Sequence, residues 1–345
     1  MWIASSLATV KTPTMIALGN FDGVHRGHQK VIEKVVQKSL EAVPASSVVA
    51  GSNAASSTWL TAHPDSRADS FASSDVSEGV PYRTVVTFSP HPREFFTGER
   101  RLLLTPVAEK AQYLQTLGIQ QLVLLPFDQA LADLTPEEFV EQILVQALQA
   151  QQISVGQDFC FGRDRSGTIT DLQQIAAQSG ILVEVAPLCL ENGERISSSA
   201  IRQALAQGEL AHANQLLGRS YTLLGEVRSG QQLGRTIGFP TANLQLPEDK
   251  FLPRCGVYSV WVRGAGIEGR QLGVMNLGYR PTVEGRQLVA EVHLLDWSGD
   301  LYGHTLTVSL EHFLRPEQKF ASLDELKSQI QRDCEQARLL ASLIA

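Results

Sequence analysis

Cysteine is scarce in this chain of 345 residues: Cys160, Cys189, Cys255 and Cys334 stand far apart, and none belongs to a Cys-x-x-Cys pair. That spacing argues against a zinc site or a disulfide framework and fits reduced thiols in a cytosolic protein. Positive charge is also short. With 29 Lys and Arg against 36 Asp and Glu, the formal net charge is −7. A broad basic face for nucleic acid is therefore not expected, although local phosphate sites remain compatible with the balance. No run reaches the ~18 apolar residues of a membrane span, and the first residues lack a basic region followed by a long apolar stretch. The expectation is a cytoplasmic protein without membrane or nucleic-acid partners, a monomer or weak homo-oligomer, of about two domains.

From Thr14 to about Leu217, strand-like and helix-like segments alternate. Thr14 to Leu18, Arg83 to Thr87, Gln121 to Leu125, Ile153 to Gly156 and Ile181 to Val185 read as strands. Gln29 to Lys38 and Pro106 to Leu117 read as helices, and Thr135-Pro136-Glu137-Glu138 has the cap, proline and acids of a helix start. This alternation predicts an α/β domain with a Rossmann-like parallel sheet, helices on both faces, and ligands at the carboxyl ends of the strands. Between Gln37 and Tyr82, Ser and Ala dominate without a steady period, which predicts a disordered insertion over 38–82. After Leu217 the texture changes. Tyr221 to Arg228, Gly256 to Arg263, Gln271 to Asn276, Leu288 to Asp296 and Thr305 to Leu310 read as strands of a compact antiparallel β-barrel. A terminal helix over Ser322 to Leu340 carries an apolar stripe of Leu323, Leu326, Ile330, Ala337 and Leu340. The expected domains are 1–217 and 218–345.

The chemistry of the first domain centres on Gly19-Asn20-Phe21-Asp22-Gly23-Val24-His25-Arg26-Gly27-His28, on a strand-to-helix turn. Such a turn points backbone N–H groups and a positive helix end at its ligand, which favours phosphate. The glycines permit close approach, and imidazoles can donate to a phosphate oxygen as its charge grows. Three further clusters follow. Ser89-Pro90-His91-Pro92 is a stiff loop at the end of a strand. Gly156-Gln157-Asp158-Phe159-Cys160-Phe161-Gly162 offers Asp158 as an acceptor for a nucleobase or flavin edge, and Phe159 and Phe161 for stacking or for core filling. Ser197-Ser198-Ser199-Ala200-Ile201-Arg202 opens a helix, with Ser197 or Ser198 as its cap and Arg202 as a bidentate partner for a triphosphate.

In the second domain, Leu233-Gly234-Arg235-Thr236-Ile237-Gly238-Phe239-Pro240-Thr241-Ala242-Asn243 combines a glycine-rich cover with two polar residues in alternation. Thr241 and Asn243 point their oxygens the same way, an arrangement that suits Mg²⁺ held mainly by waters and substrate phosphates. Glu291 and His293 share one strand face; a lone strand histidine such as His293 reads as structural.

In this order, the clusters resemble the prokaryotic bifunctional riboflavin kinase/FAD synthetases. The opening turn looks like the Gly-x-Phe-Asp-x-x-His-x-Gly-His signature of nucleotidyltransferases related to class I aminoacyl-tRNA synthetases. The run 233–243, together with Gly256-Val257-Tyr258, Asn276-Leu277-Gly278-Tyr279-Arg280-Pro281-Thr282, Glu291 to Asp296 and Asp300-Leu301-Tyr302-Gly303, resembles riboflavin kinases. Related proteins usually carry Thr in place of Ser199 and a basic residue in place of Cys160.

The resemblance implies two reactions, phosphorylation of riboflavin to FMN and adenylylation of FMN to FAD, with ATP as co-substrate and Mg²⁺ in both. It implies catalytic roles for His25, His28 and the general base Glu291. ATP phosphates are expected on Gly19, Asn20, Phe21, Asp22, Gly23, Gly27, Ser197, Ser198, Ser199, Arg202, Gly234 and Gly238, and the metal on Thr241 and Asn243. Flavin is expected on Pro90, His91, Asp158 and Phe159. The alternatives are a nucleotidyltransferase for another phosphorylated substrate, which Thr241, Asn243 and Glu291 oppose, and a catalytically silent flavin-binding or regulatory protein, which those three residues and the intact His25 and His28 oppose.

Overall fold

The computed structural model describes residues 1–41, 79–229, 234, 237–282 and 285–343. Most of the expected insertion therefore lies outside the described residues.

Strands β1 (Trp2–Ala4), β2 (Thr14–Leu18), β3 (Tyr82–Ser89), β4 (Gln121–Pro126), β5 (Ala150–Gly156) and β6 (Leu182–Ala186) form one parallel sheet in the order β1-β4-β3-β2-β5-β6. Chain order reverses about β2, with β3 on one side and β5 on the other, so the crevice beyond β2 is the natural ligand site. The sheet is buried on both faces. Met15 and Ala17 face α1 (Arg26–Glu41) through Val31, Ile32 and Val35, whereas Ile16 and Leu18 face the opposite core of Phe139, Leu144 and Leu172. The first helix starts three residues before its expected position because His25 caps it, and it ends at Glu41, past the expected start of the insertion.

The remaining helices of this part are α2 (Pro92–Thr97), α3 (Val107–Thr116), α4 (Gln129–Ala132), α5 (Pro136–Glu138), α6 (Ile169–Gln178), α7 (Ser198–Gln207) and α8 (Leu210–Leu217). Helix α5 continues into a wider-turned helix, Phe139–Ala147. A short hairpin, β7 (Leu190–Glu191) and β8 (Glu194–Arg195), precedes α7.

Strands β9 (Tyr221–Arg228), β10 (Ala242–Gln245), β11 (Gly256–Gly264), β12 (Gln271–Thr282), β13 (Gly285–Leu294) and β14 (Thr305–Arg315) close an antiparallel barrel in the order β10-β13-β12-β11-β14-β9. Helix α9 (Leu323–Ser342) lies outside it. Its expected apolar stripe is only partly used: Leu323 is 66% exposed, and the helix is seated through its middle by Cys334 and Ala337. Beside them the buried Asp333 receives Arg315 Nη2 at 2.8 Å and Gln329 Nε2 at 2.8 Å. A polar anchor, which an apolar pattern cannot show, sets this position.

The hydrophobic core does not divide at residue 217. Ile201, Ala204, Leu205, Leu210 and Leu216 of α7 and α8 share one cluster with Leu223, Tyr258, Val260 and Met275 of the barrel. An ion pair crosses the same boundary. Lys250 and Glu109 are 0% and 4% exposed at their side chains, and the ammonium also donates to Leu104 O at 2.7 Å. Glu109 in turn accepts from Leu224 N at 3.1 Å. Burial outweighs pairing on both groups, raising the Glu109 carboxyl and drawing the Lys250 ammonium down to about 8.

Breaking this pair from one side leaves a buried charge uncompensated. Lys250→Met is expected to cost about 3–5 kcal/mol in urea unfolding, and adding Glu109→Gln to return most of it. A loss within ~1 kcal/mol for the single variant is the signature of an exposed pair and contradicts this placement.

Candidate active sites

The turn after β2 is built around Asp22, which is 3% exposed. Its Oδ1 accepts from Leu104 N at 2.8 Å and Thr105 N at 3.4 Å, and its Oδ2 is paired with Arg202. Its backbone carbonyl accepts from Ser198 Oγ at 2.7 Å. Gly23, at φ +90°, donates to Thr105 Oγ1 at 2.9 Å. Phe21 and Val24 also take positive φ, 46° and 42°, although both are fully enclosed in the core. For a β-branched residue this is strained backbone, maintained by the contacts on either side.

The strain sets the two imidazoles. His25 O accepts the first helical bond of α1 from Gln29 N, and His25 Nδ1 accepts from His28 N at 3.3 Å. His25 is thus the helix cap, and its proton sits on Nε2. The His28 ring stacks on it with centroids 3.6 Å apart. Burial lowers both: His25 to about 4, and His28 well below the ordinary value, with His25 and Lys110 adding to the effect. Both rings are neutral hydrogen-bond donors at neutral pH. Among the described residues, the Nδ1 of His28 is buried without a partner.

The other expected residues of this domain fall in two groups. Ser197, Ser198, Arg202 and His91 converge on the turn. Ser197 caps α7 by accepting from Ala200 N at 3.2 Å, while Ser199 is exposed. Arg202 is held by Asp22, by Ser198 O at 3.3 Å and by Leu102 O at 3.1 Å. His91 caps α2 by accepting from Arg93 N at 3.1 Å. Burial, then Arg101, with Lys110 and Arg202 also contributing, lowers it to about 4 against the opposing pull of Asp22. Asp158 and Phe159 follow β5, and the charge of Arg195, the partner of Asp158, acts on His25 at the turn. Asp158 is paired with Arg195 of β8, and Phe159 lies parallel to Phe161 against the sheet core.

Two features escape the sequence patterns. Lys110 reaches Asn20 O at 3.1 Å from α3. Phe88, Phe95, Phe96 and Phe127 form a ring cluster with neighbouring centroids 5.3–5.8 Å apart, and Phe96 is 70% exposed on α2, the helix that His91 caps. The adjacent Phe95-Phe96 in an otherwise polar helix is the one sequence signal for the second feature.

The second site lies on the outer face of the barrel. Ala242 and Leu244 pack toward the interior, so Asn243, and Thr241 before it, face outward. Glu291 lies between the inward Ala290 and Val292, opposite Asn243 of β10 on one side and Asn276 of β12 on the other. His293 Nδ1 is 2.8 Å from Pro240 O, and its ring meets Phe239 edge-on. It braces the turn that delivers Thr241. A Cβ on Gly234 would lie 2.3 Å from Phe239 O, so only glycine fits there. Gly238 takes φ +89° with open space beside it. Among the described residues, no group of three His, Cys, Asp or Glu side chains converges to hold a metal. The hard oxygens of Thr241 and Asn243 fit Mg²⁺ only as a minority of its ligands.

Comparison with known proteins matches these two halves. The riboflavin kinase family model fits residues 217–341, and the FAD synthetase family model fits residues 7–63 and 72–200. The bifunctional riboflavin kinase/FMN adenylyltransferase of Pseudomonas fluorescens is 39% identical over 327 residues, covering 94% of this chain and 92% of that protein. The Escherichia coli K12 protein of the same name is 38% identical, covering 92% and 90%, and that of Bacillus subtilis is 33% identical, covering 94% and 91%. A crystal structure described as a macrolide-efflux protein from Streptococcus pneumoniae shares the architecture, with a TM-score of 0.76 at 28% identity over 97% of this chain and 98% of that one.

The three lowered histidines tie stability to pH. The unfolded chain takes up these protons near pH 6.5, whereas His25 and His91 accept them only near 4 when folded and His28 lower still. Stability is therefore complete above about pH 6.5 and is lost as pH falls toward 4, at up to about 1.4 kcal/mol per pH unit for a buried histidine and less for the more exposed His91. Urea midpoints are expected to drop between pH 6.5 and 5. His91→Asn keeps a helix cap and should make that slope shallower. A midpoint flat over this range contradicts the buried neutral rings.

Proposed function

The chain belongs to the bifunctional riboflavin kinase/FMN adenylyltransferase family, and on that premise we propose how its residues divide two reactions between two sites. The enzyme phosphorylates riboflavin to FMN with ATP in its C-terminal part and adenylylates FMN to FAD, releasing pyrophosphate, in its N-terminal part. The residue assignments below rest on geometry and charge.

In the first site, an FMN phosphate oxygen attacks the α-phosphorus of ATP, and the bond from that phosphorus to the bridging β-oxygen breaks. The single observation that supports this assignment is the stacked, neutral His25–His28 pair at the start of α1. Neutral rings donate to the transferring phosphoryl group without demanding a proton from solvent. The backbone of Gly19 to Gly23 and the first turn of α1 take the phosphates. Asp22, Ser198 and Arg202 shape the site through one another. The exposed ring of Phe96, on the helix that follows Pro90 and His91, offers a platform for the flavin. No covalent intermediate is needed. Burial raises the thiols of Cys255 and Cys334, the latter to about 11, away from the nucleophilic thiolate.

In the second site, the riboflavin 5′-hydroxyl attacks the γ-phosphorus, and Glu291 accepts its proton. Thr241 and Asn243 would hold Mg²⁺ together with the ATP phosphates. When bound, the metal neutralises charge on the transferring phosphoryl group. Gly234 and Gly238 cover the phosphates. Among the described residues, no helix is long and apolar enough to cross a membrane. We place the enzyme in the cytoplasm, where ATP and riboflavin meet, as a monomer or weak homo-oligomer without nucleic-acid partners.

Incubation with riboflavin and Mg·ATP, followed by chromatography, is expected to show FMN first and FAD after it; absence of either product overturns that half of the reading. Glu291→Gln should lower FMN formation by about 10²–10⁴-fold while FAD still forms from supplied FMN. His28→Ala should do the converse, abolishing most FAD formation with FMN formation retained. Equal loss of both activities in either folded variant contradicts the division of labour.

A further inference from the structure

Helix α3 presents neighbouring charges to two different places. Glu109 reaches the barrel, as described above. Lys110 and Leu114, one turn apart, face the sheet, where Leu114 is buried in the core beneath α1. Lys110 is 5% exposed, and among the described residues its one hydrogen bond is to Asn20 O, which already accepts Thr87 Oγ1 at 2.8 Å. An ammonium has three donors, so two remain. No carboxylate pairs with it among the described residues, because the nearby Asp22 is committed to Arg202 and two backbone amides. An enclosed ammonium without a counter-ion is costly.

The same place holds other unpartnered nitrogens. Among the described residues, His28 Nδ1, a donor or an acceptor according to tautomer, and the Arg101 Nε–H donor are buried without partners. His91 feels Lys110, Arg101, Arg202 and Asp22 together, three cations around a single carboxylate. Cations outnumber carboxylates here, and the excess fits an oligophosphate better than a single carboxylate.

We propose that Lys110 is a catalytic residue of adenylyl transfer, its ammonium contacting a phosphate oxygen of bound ATP beside His28. This rests on the adenylyltransferase reading of the site. As the FMN oxygen bonds to the α-phosphorus, the electron pair of the broken bond leaves on pyrophosphate, and Lys110 balances that charge without giving up a proton. Burial draws Lys110 down to about 8, against the opposing pull of Asp22. Facing it are His28 of α1, His91 before α2 and Asp22, while Arg101 and Arg202 of α7 act on the same His91. In the enzyme without substrate, the ammonium discharges as pH rises through about 8; a bound phosphate holds its proton to higher pH. The expected signature is an alkaline fall in kcat/KM for ATP near pH 8, with kcat holding further.

The test is FAD formation from FMN and Mg·ATP by the full chain over pH 6.5–10, for wild type, Lys110→Met and Lys110→Arg. FMN formation by the barrel of the same preparation checks folding. Lys110→Met is expected to lower kcat/KM by about 10²–10³-fold at pH 7, with FMN formation unchanged. Lys110→Arg should restore most of the rate and abolish the alkaline fall. A folded Met variant at the wild-type rate overturns the proposal. So does a wild-type profile without the fall, or a fall that persists in the Arg variant, and neither of these needs the Met variant to fold. A wild type that makes FMN but no FAD overturns the reading of the site itself, a separate result.

Discussion

The first site depends on one buried carboxylate. Asp22 joins three chain segments far apart in sequence: its own turn after β2, the loop at Leu104 and Thr105, and α7 through Arg202. A carboxylate that accepts two backbone amides and a guanidinium has its charge fully compensated, so it can sit in the core and fix those segments. The strained φ of Phe21 and Val24 and the stacking of His25 on His28 follow from that fixation. The network continues beyond the site. Leu104 donates to Asp22 and accepts from Lys250, which pairs with Glu109, which in turn accepts from β9 at Leu224. The phosphate turn and the barrel are thus linked through a few buried polar contacts inside one continuous apolar core.

The two sites solve a common problem differently. Both must surround phosphate with groups that the fold holds in place before substrate arrives. The barrel places hard oxygens and a carboxylate on an outer face and lets a glycine-rich turn, braced by His293 on Pro240, close over them. The sheet domain encloses its donors and keeps its imidazoles neutral by burial, leaving Lys110 and Arg101 as cations. The first arrangement suits a reaction that needs a base near a hydroxyl. The second suits one in which the attacking phosphate is already ionised.

Much of this was legible in the sequence because it is local. Period-two and continuous apolar runs located ten of the fourteen described strands, with Tyr221–Arg228 matching to the residue, and missed the short β1, β7, β8 and β10. The His-x-x-His spacing pointed to the strand-to-helix turn proposed as the first site, the alternation of Thr241 and Asn243 aimed their oxygens the same way, and Glu291 was read on one strand face with His293. What stayed hidden depends on contacts across long stretches of chain. Arg202 meets Asp22 across 180 residues, and Lys250 meets Glu109 across 141. No local pattern encodes such partners, so Arg202 looked available for a ligand and Lys110 carried no signal of its own. The sharing of α7 and α8 with the barrel core was hidden for the same reason: their apolar stripes are visible, but not what covers them.

Amide hydrogen exchange at Leu104 and Thr105 tests the central role of Asp22 most directly. These two N–H groups lie in a loop, outside any helix or strand, and their protection comes from the buried carboxylate. The account predicts exchange as slow as that of barrel-core amides such as Val260, released only by global unfolding. Exchange at the rate of the exposed Glu99 would show that the Asp22 network opens independently and does not hold the site together.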